Sequence, residues 1–445
     1  MFETSPEAKP SEALSKGWEM KEVDFAFGKD GIQVKLHEGP SYMLVESRSA
    51  QPLADPLQAL DHALDFPVAG PSLLTLAEGK KTAAISICDI TRPAPNWMTL
   101  PPLLKRLHAA GIPVEGVTIL IATGLHRPAT TDEIRRIVGE DIAAKYRIVN
   151  HDAKDFDQHL SLGTTSRGTP VYIDSRFMQA DLHITLGFIE QHLMLGFSGG
   201  RKLVAPGVAS QETIKVIHSP RFMREPNATE GHTSDNPLHL ELLEIARMVR
   251  HDFMLDVTLT KTREISGVFA GEPVQAHAAG VRFLQHTSLE KLPKLADVVI
   301  TSAAGYPLDL TFYQIVKGIT AAQHIAKPGG KILILAECSE GAGSPEFAHK
   351  LENYPGHQQF LDEVHTAKVE VDQWQLEKLA LTGLTHELYF FTPGVPAAHA
   401  GALRDRVFTS VDLAVDAVLS DLTPGADVAL IPEGPYVYAR VDPTA

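Results

Sequence analysis

Cysteine is nearly absent. The 445-residue chain has two, Cys88 and Cys338, far apart and each inside an apolar run. There is no CxxC pair and no four-cysteine pattern, which excludes a disulfide framework and a thiolate zinc site and leaves two buried thiols in a reducing compartment as the expectation. Positive charge is also in deficit. Forty Lys and Arg face 55 Asp and Glu, a net charge of −15, and the pI is near 5.7. That balance argues against a nucleic-acid partner or an anionic membrane surface. It leaves room for a small anion, which needs only a few local cations. No apolar run approaches the ~20 residues of a membrane helix. The N-terminus lacks the basic-then-apolar layout of a secretory leader. The expectation is a cytoplasmic protein that binds no membrane. Two motifs are missing as well. No G-x-G-x-x-G follows a strand; Gly341-Ala-Gly343-Ser-Pro comes nearest and departs at Pro345 and Glu346. No H-E-x-x-H is present, so a zincin is excluded.

What is there is an ordinary globular composition, 44% hydrophobic and 21% charged, in a chain too long for one core. Met1 to Lys16 is rich in Ser, Pro and Glu and reads as a frayed arm. Residues 17–50 alternate in short segments joined by Gly-Lys-Asp-Gly, a hairpin pattern. From about residue 80 the period changes. Apolar strands at Ala83-Ala-Ile-Ser-Ile-Cys, Val117-Thr-Ile-Leu-Ile-Ala, Tyr146-Arg-Ile-Val-Asn and Leu182-His-Ile-Thr-Leu-Gly alternate with helical stretches. One of these starts with a cap and early acids at Thr130-Thr-Asp-Glu. A second alternating block opens near residue 293. Its strands begin at Ala296, Lys331, Glu387, Val407 and Asp427, and helices fall at Thr311–Ala326 and Val411–Leu422. Strand then helix, repeated, means parallel sheets with crossovers. The expected class is α/β: two domains with mostly parallel sheets flanked by helices, and the active site in the interdomain crevice. The expected boundaries are 1–275 for an N-terminal cofactor-binding domain and 290–420 for a smaller doubly wound domain. Residues 421–445 form a strand and tail returning to the first domain.

Ligands of open α/β sheets sit beyond the carboxyl ends of the strands, and five clusters fall there. Asp89-Ile90-Thr91-Arg92-Pro puts an acid, a hydroxyl and a guanidinium on a Pro-stiffened turn. Arg suits two-point recognition of a carboxylate or phosphate, although a capping Asp beside a surface Arg gives the same pattern. Ala122-Thr-Gly-Leu-His126-Arg places a histidine at the mouth of the next strand, as a base, a metal ligand or a structural group. The densest cluster is Gly187-Phe-Ile-Glu-Gln-His192-Leu-Met-Leu-Gly-Phe-Ser-Gly-Gly-Arg-Lys202. Its glycines let backbone approach a ligand, and its N–H groups and cations suit an anion. Gly196 to Gly200 also fits G-x-S-x-G, but Pro206-Gly207 interrupts the helix that motif requires. His218 ends a short helical run, where a satisfied C-terminal histidine is equally natural. Finally, Tyr313-Gln314-Ile-Val-Lys317 places Tyr313, Gln314 and Lys317 on neighbouring positions of one helix, which a solvated face would also explain.

In order and spacing, these clusters together resemble the nickel-dependent lactate racemase family, over residues 80–335. The resemblance implies a racemase or epimerase of 2-hydroxy acids. It implies a nickel-pincer nucleotide linked to Lys202, with nickel held by His218. It implies His126 and His192 as acid/base pair, and Arg92, Gln314 and Lys317 around the substrate with Tyr313 beside them. Asp89, Ile90, Thr91 and Arg92 would line the nucleotide. It further implies cofactor-biosynthesis proteins as partners and a small 2-hydroxy acid as substrate. The residue types suit such chemistry. Moving C2 hydrogen as hydride avoids a carbanion beside a carboxylate, and paired histidines can serve opposite faces. The other readings are a nicotinamide-dependent hydroxyacid dehydrogenase, a serine hydrolase using Ser198, and a non-catalytic carrier of the nickel nucleotide.

Overall fold

The computed structural model describes residues 22–444. The expected arm at 1–16 lies outside them. In chain order the strands begin with β1 (Glu22–Phe25), β2 (Ile32–Lys35) and β3 (Ser41–Leu44). Next come β4 (Ala83–Cys88), β5 (Val117–Ala122), β6 (Arg147–Asn150), β7 (His159–Thr164), β8 (Pro170–Asp174) and β9 (Leu182–Phe188). Then follow β10 (Gln191–His192), β11 (Gly196–Phe197), β12 (Phe253–Leu259), β13 (Ile265–Gly271), β14 (Leu289–Leu292) and β15 (Ala296–Ser302). The last are β16 (Ala326–Leu335), β17 (Glu387–Phe391), β18 (Val407–Phe408), β19 (Asp427–Ile431) and β20 (Tyr438–Val441).

Two six-stranded sheets organise the molecule, in the orders β13-β12-β9-β4-β5-β6 and β18-β17-β16-β15-β19-β3. In the first, only the β12–β13 pair is antiparallel; the second is parallel throughout. The cause is visible in composition. Every residue of β4 (AAISIC) and β9 (LHITLGF) is buried, as strands covered by helices on both faces must be. The first core gathers Ile85, Ile87, Ile119, Ile121, Ile184 and Leu255, and the second gathers Val299, Ile315, Ile319, Ile332, Phe390 and Ala429. β1 and β2 pair as the hairpin read from their alternation.

The pairing departs from the expected boundaries at both chain ends. β3 lies in parallel beside β19 at the edge of the second sheet, so the opening segment belongs with the C-terminal strands. β19 sits between β15 and β3 and not in the first sheet. Apolar runs state that a strand is buried, and nothing local states against which neighbour. Only the last strand reaches back: β20 pairs with β14, and the Tyr438 ring meets Phe197 of the first body at 5.9 Å. No helix among the described residues is long and apolar enough to cross a membrane.

Candidate active site

In each sheet the strand order reverses direction once, and a crevice opens there. In the first sheet the reversal lies between β4 and β9; in the second it lies between β15 and β19. The segments leaving these four strands converge on one cavity of about 300 Å³. Ile90, Thr91, Arg92 and Pro93 come from the end of β4. Glu190, Gln191, His192 and Leu193 follow β9, Pro307 and Leu308 follow β15, and Pro435 and Tyr436 follow β19. Lys317, Glu230 and Arg263 complete the wall. Ile90, Thr91, Arg92, His192 and Lys317, all picked from sequence, thus meet across the two bodies. Lys202 stands behind them, close enough for Arg92, Glu190 and Lys317 to shift its titration.

His126 is held from the side. Gly124, at φ +53, turns the chain after β5, and His126 Nδ1 then lies 2.7 Å from Asp89 Oδ2. Asp89 Oδ1 accepts from Thr91 Oγ1 at 2.7 Å. Burial raises the Asp89 pKa, but His126, Arg92 and Thr91 outweigh it and keep the group below its ordinary value. The expected nucleotide-lining Asp89 is therefore also the residue that orients His126. The His126 side chain remains 44% exposed and is not among the residues that line the cavity.

His218 caps the helix Gln211–Ile217, with its Nδ1 2.8 Å from Ile214 O. Its ring meets the indole of Trp374 at 4.6 Å, and the indole N–H donates to Tyr313 Oη at 3.1 Å. Tyr313 thus acts on His218 through Trp374. Gln314 Oε1 is buried without a hydrogen-bond partner among the described residues, an acceptor awaiting a donor.

The electrostatics follow from crowding cations where water is scarce. Burial first, then Arg92, lowers the Lys317 pKa to about 7. Burial, then Arg92 and Lys317, holds the Lys202 amine well below its ordinary value, opposed by Glu190. Burial, then Lys202, Arg92, Lys317 and His218, holds His192 well below the usual histidine range. Burial lowers His218 to about 4. In all four the shift runs toward the neutral form, and an arriving anion would oppose it.

Two details of the Gly-rich segment differ from the reading of its sequence. Arg201 does not face a ligand. It is 2% exposed, and its guanidinium donates to the carbonyls of Phe197 (2.8 Å), Gly199 (3.2 Å), Leu195 (3.3 Å) and Ser198 (3.4 Å). Ser198 is buried too; its hydroxyl donates to Phe188 O and accepts from Glu190 N–H, so it is no nucleophile. Gly199, at φ +87, is required: a Cβ there would lie 2.3 Å from Asp256 Oδ2. Sequence reading missed Trp374, Glu230, Arg263 and Tyr436. None of them belongs to a motif, and only the facing of the two sheets brings them in.

A two-domain α/β enzyme, with its ligand cavity where two switch points face each other, is the class defined by this fold and site. Family models describe it further. The lactate racemase N-terminal domain matches residues 27–231, and the lactate racemase C-terminal domain matches residues 292–438. The lactate racemase of Lactiplantibacillus plantarum is 34% identical over 387 residues, covering 86% of this chain and 91% of that one. That of Thermoanaerobacterium thermosaccharolyticum is 31% identical over 426 residues, covering 95% and 100%. The solved lactate racemase apoprotein of the latter organism superposes with a TM-score of 0.81 at 30% identity, covering 94% of this chain and all of that one. A Thermotoga maritima structure shares the fold at 17% identity and a TM-score of 0.66. The chain belongs to the lactate racemase family, and it is an enzyme of the isomerase class.

Proposed function

We propose that the chain racemises a small 2-hydroxy acid, lactate first among candidates, using a nickel-pincer nucleotide carried by Lys202 and His218. The observation that carries the reading is the convergence of Arg92, His192 and Lys317 on one cavity, with Lys202 near enough to feel Arg92 and Lys317 and His126 bonded to Asp89, three residues before Arg92.

The residues suit such a group. A carbonyl only accepts, so the Ile214 contact puts the His218 proton on Nδ1 and leaves Nε2 bare for a metal. Among the described residues no three His, Cys, Asp or Glu side chains cluster as a metal site. A metal beside His218 must therefore bring ligands of its own, as a pincer does. A buried lysine whose pKa is lowered by burial and by Arg92 is suited to a covalent link. When bound by Lys202 and His218, the nickel nucleotide would supply hydride-accepting chemistry.

The rest is the chain's own work. Arg92 and Lys317 hold the substrate carboxylate, and the arriving anion restores the Lys317 charge. Gln314 Oε1 receives a donor from the substrate or nucleotide. A histidine takes the hydroxyl proton as C2 hydrogen leaves, and the resulting 2-keto acid is planar and stays clamped by its carboxylate. Hydrogen returned to the opposite face, with a proton delivered to the oxygen, gives the other enantiomer. Leu193, Leu308, Ile90 and Pro93 supply an apolar wall, which suits a small aliphatic group.

The test follows one enantiomer of 2-deuterated lactate with nickel-nucleotide-loaded enzyme in ordinary water. Formation of the opposite enantiomer with deuterium retained at C2 is expected. Deuterium washed out would sink the hydride route and point to proton abstraction.

A further inference from the structure

The partners of a histidine nitrogen decide where its proton sits. A backbone N–H can only donate, and an ionised carboxylate can only accept. By that rule the two active-site histidines differ. His126 Nδ1 faces the ionised Asp89 carboxylate at 2.7 Å, so Nδ1 carries the proton of the neutral ring and leaves Nε2 bare. His192 Nδ1 faces the backbone N–H groups of Met194 at 3.4 Å and Leu195 at 3.3 Å. There Nδ1 is the acceptor, and the proton of the neutral ring sits on Nε2.

Both bonds to His192 are long, and the surrounding loop keeps them aimed. His192 pairs with Gly196 across the β10–β11 hairpin, closing the loop over the ring. Asn236 Nδ2 donates to Met194 O at 2.9 Å. That carbonyl belongs to the same peptide as the Leu195 N–H, so donation at one end strengthens the donor at the other. Asn236 is fully buried, and its orientation is forced, because Oδ1 accepts the N–H groups of Leu238 (3.0 Å) and His239 (3.1 Å) as cap of the helix Pro237–Val249. The next carbonyl, of Leu195, is pinned by Arg201 Nη2 at 3.3 Å. The two peptides that flank the Leu195 Cα are therefore each held, one by Asn236 and the next by Arg201.

We propose that His126 and His192 rest as opposite tautomers, His126 presenting a bare Nε2 and His192 an Nε2–H, with Asn236 and Arg201 as the positioning residues that set the second. The kinetic consequence rests on the racemase reading. From this resting state His126 is ready to accept a hydroxyl proton, while His192 is ready only to donate. Turnover that starts at His192 first requires its ring proton to move. Enantiomers have equal free energies, so kcat/KM is equal in both directions, and the asymmetry appears as a higher kcat with a proportionally higher KM in one.

The tautomers are measured on the chain without cofactor, by nitrogen NMR of protein labelled with 15N-histidine. His126→Gln and His192→Gln assign the signals. The expected result is a protonated Nδ1 on His126 and a protonated Nε2 on His192. Asn236→Asp keeps the helix cap but removes the donor to Met194 O. It collapses the shift separation between the two His192 nitrogens and leaves those of His126 unchanged. Asp89→Asn does the converse. If Asn236→Asp does not fold, Arg201→Lys reads the same collapse, since its ammonium cannot span the four carbonyls. A His192 protonated at Nδ1, or His192 signals unmoved in a folded variant, overturns the proposal. Neither outcome touches the deuterium experiment, so the two readings fail separately.

Discussion

The cavity's cations carry most of the pH dependence. Lys317 has the clearest sign. Its pKa is lowered to about 7 by burial and by Arg92, so its ammonium is present below that pH and lost above it. On the proposed function, the hydroxy-acid anion would bind the charged form. KM is therefore expected to rise as pH climbs through about 7, with kcat less affected because bound carboxylate restores the charge. Lys317→Arg keeps its charge throughout, and its KM should stay flat between about pH 6 and 9. Kinetics of the loaded enzyme across that range decide it; a flat wild-type KM would show that Lys317 does not meet the carboxylate. The meeting of these residues was partly legible in the chain. Arg92, His192, Lys202 and Lys317 stand just past strands or on the first turns of a helix, where an α/β sheet exposes them. Arg201 stands there too, yet points inward, because four backbone carbonyls claim it. Residue type and position announce a charge, and only packing says which way it points.

At the level of elements, the loop carrying His126 is tied down by the helix that follows it. Thr130 and Glu133 form a reciprocal cap on the helix Thr131–Val138, and Glu133 also binds Arg127, next to His126, through two short bonds of 2.6 and 2.7 Å. Arg127, then the Thr130 N–H, hold the Glu133 carboxyl down to about 2. A depressed carboxyl stabilises the fold fully above its unfolded value near 4.5 and loses that contribution as pH falls toward 2. Glu133→Gln keeps an acceptor for the cap but lacks the ion pair. Its melting temperature should fall below wild type at neutral pH, and the gap should close through this acid window. Melting curves that stay parallel would place the pair's contribution elsewhere. The cap itself was readable, since Thr-x-x-Glu before a helical period has a local cause. The β7–β8 hairpin and the short β10–β11 pair were not. Their few residues carry little periodicity, and their partners are set by contacts elsewhere in the fold.

Taken whole, the molecule is a first body inserted into a second. The chain lays β3 at the edge of the second sheet, builds the first sheet, and returns at β14 and β15. No local pattern could reveal this, because pairing partners separated by hundreds of residues leave no trace in a window of ten. The consequence is that the cavity exists only while the bodies stay docked, and the segment following His218 does much of the docking. Lys378, buried on the helix Gln373–Gly383, donates to Met223 O at 2.8 Å and Ala228 O at 2.7 Å. The preceding residue on that helix, Glu377, accepts from Arg224 at 2.7 Å. The same helix presents Trp374 to His218, so docking and placement of that imidazole are one event. Lys378→Met fills the space but orphans two buried carbonyls, at a cost of about 1–3 kcal/mol each. If these contacts act as one clasp, Lys378→Met and Arg224→Ala should each raise KM and separate denaturant unfolding into two steps. The double variant should then be little worse than either alone, since the second substitution removes contacts already lost. Strict additivity, with a single unfolding step in every variant, would mean that the bodies are held together by their other contacts and that the clasp is incidental.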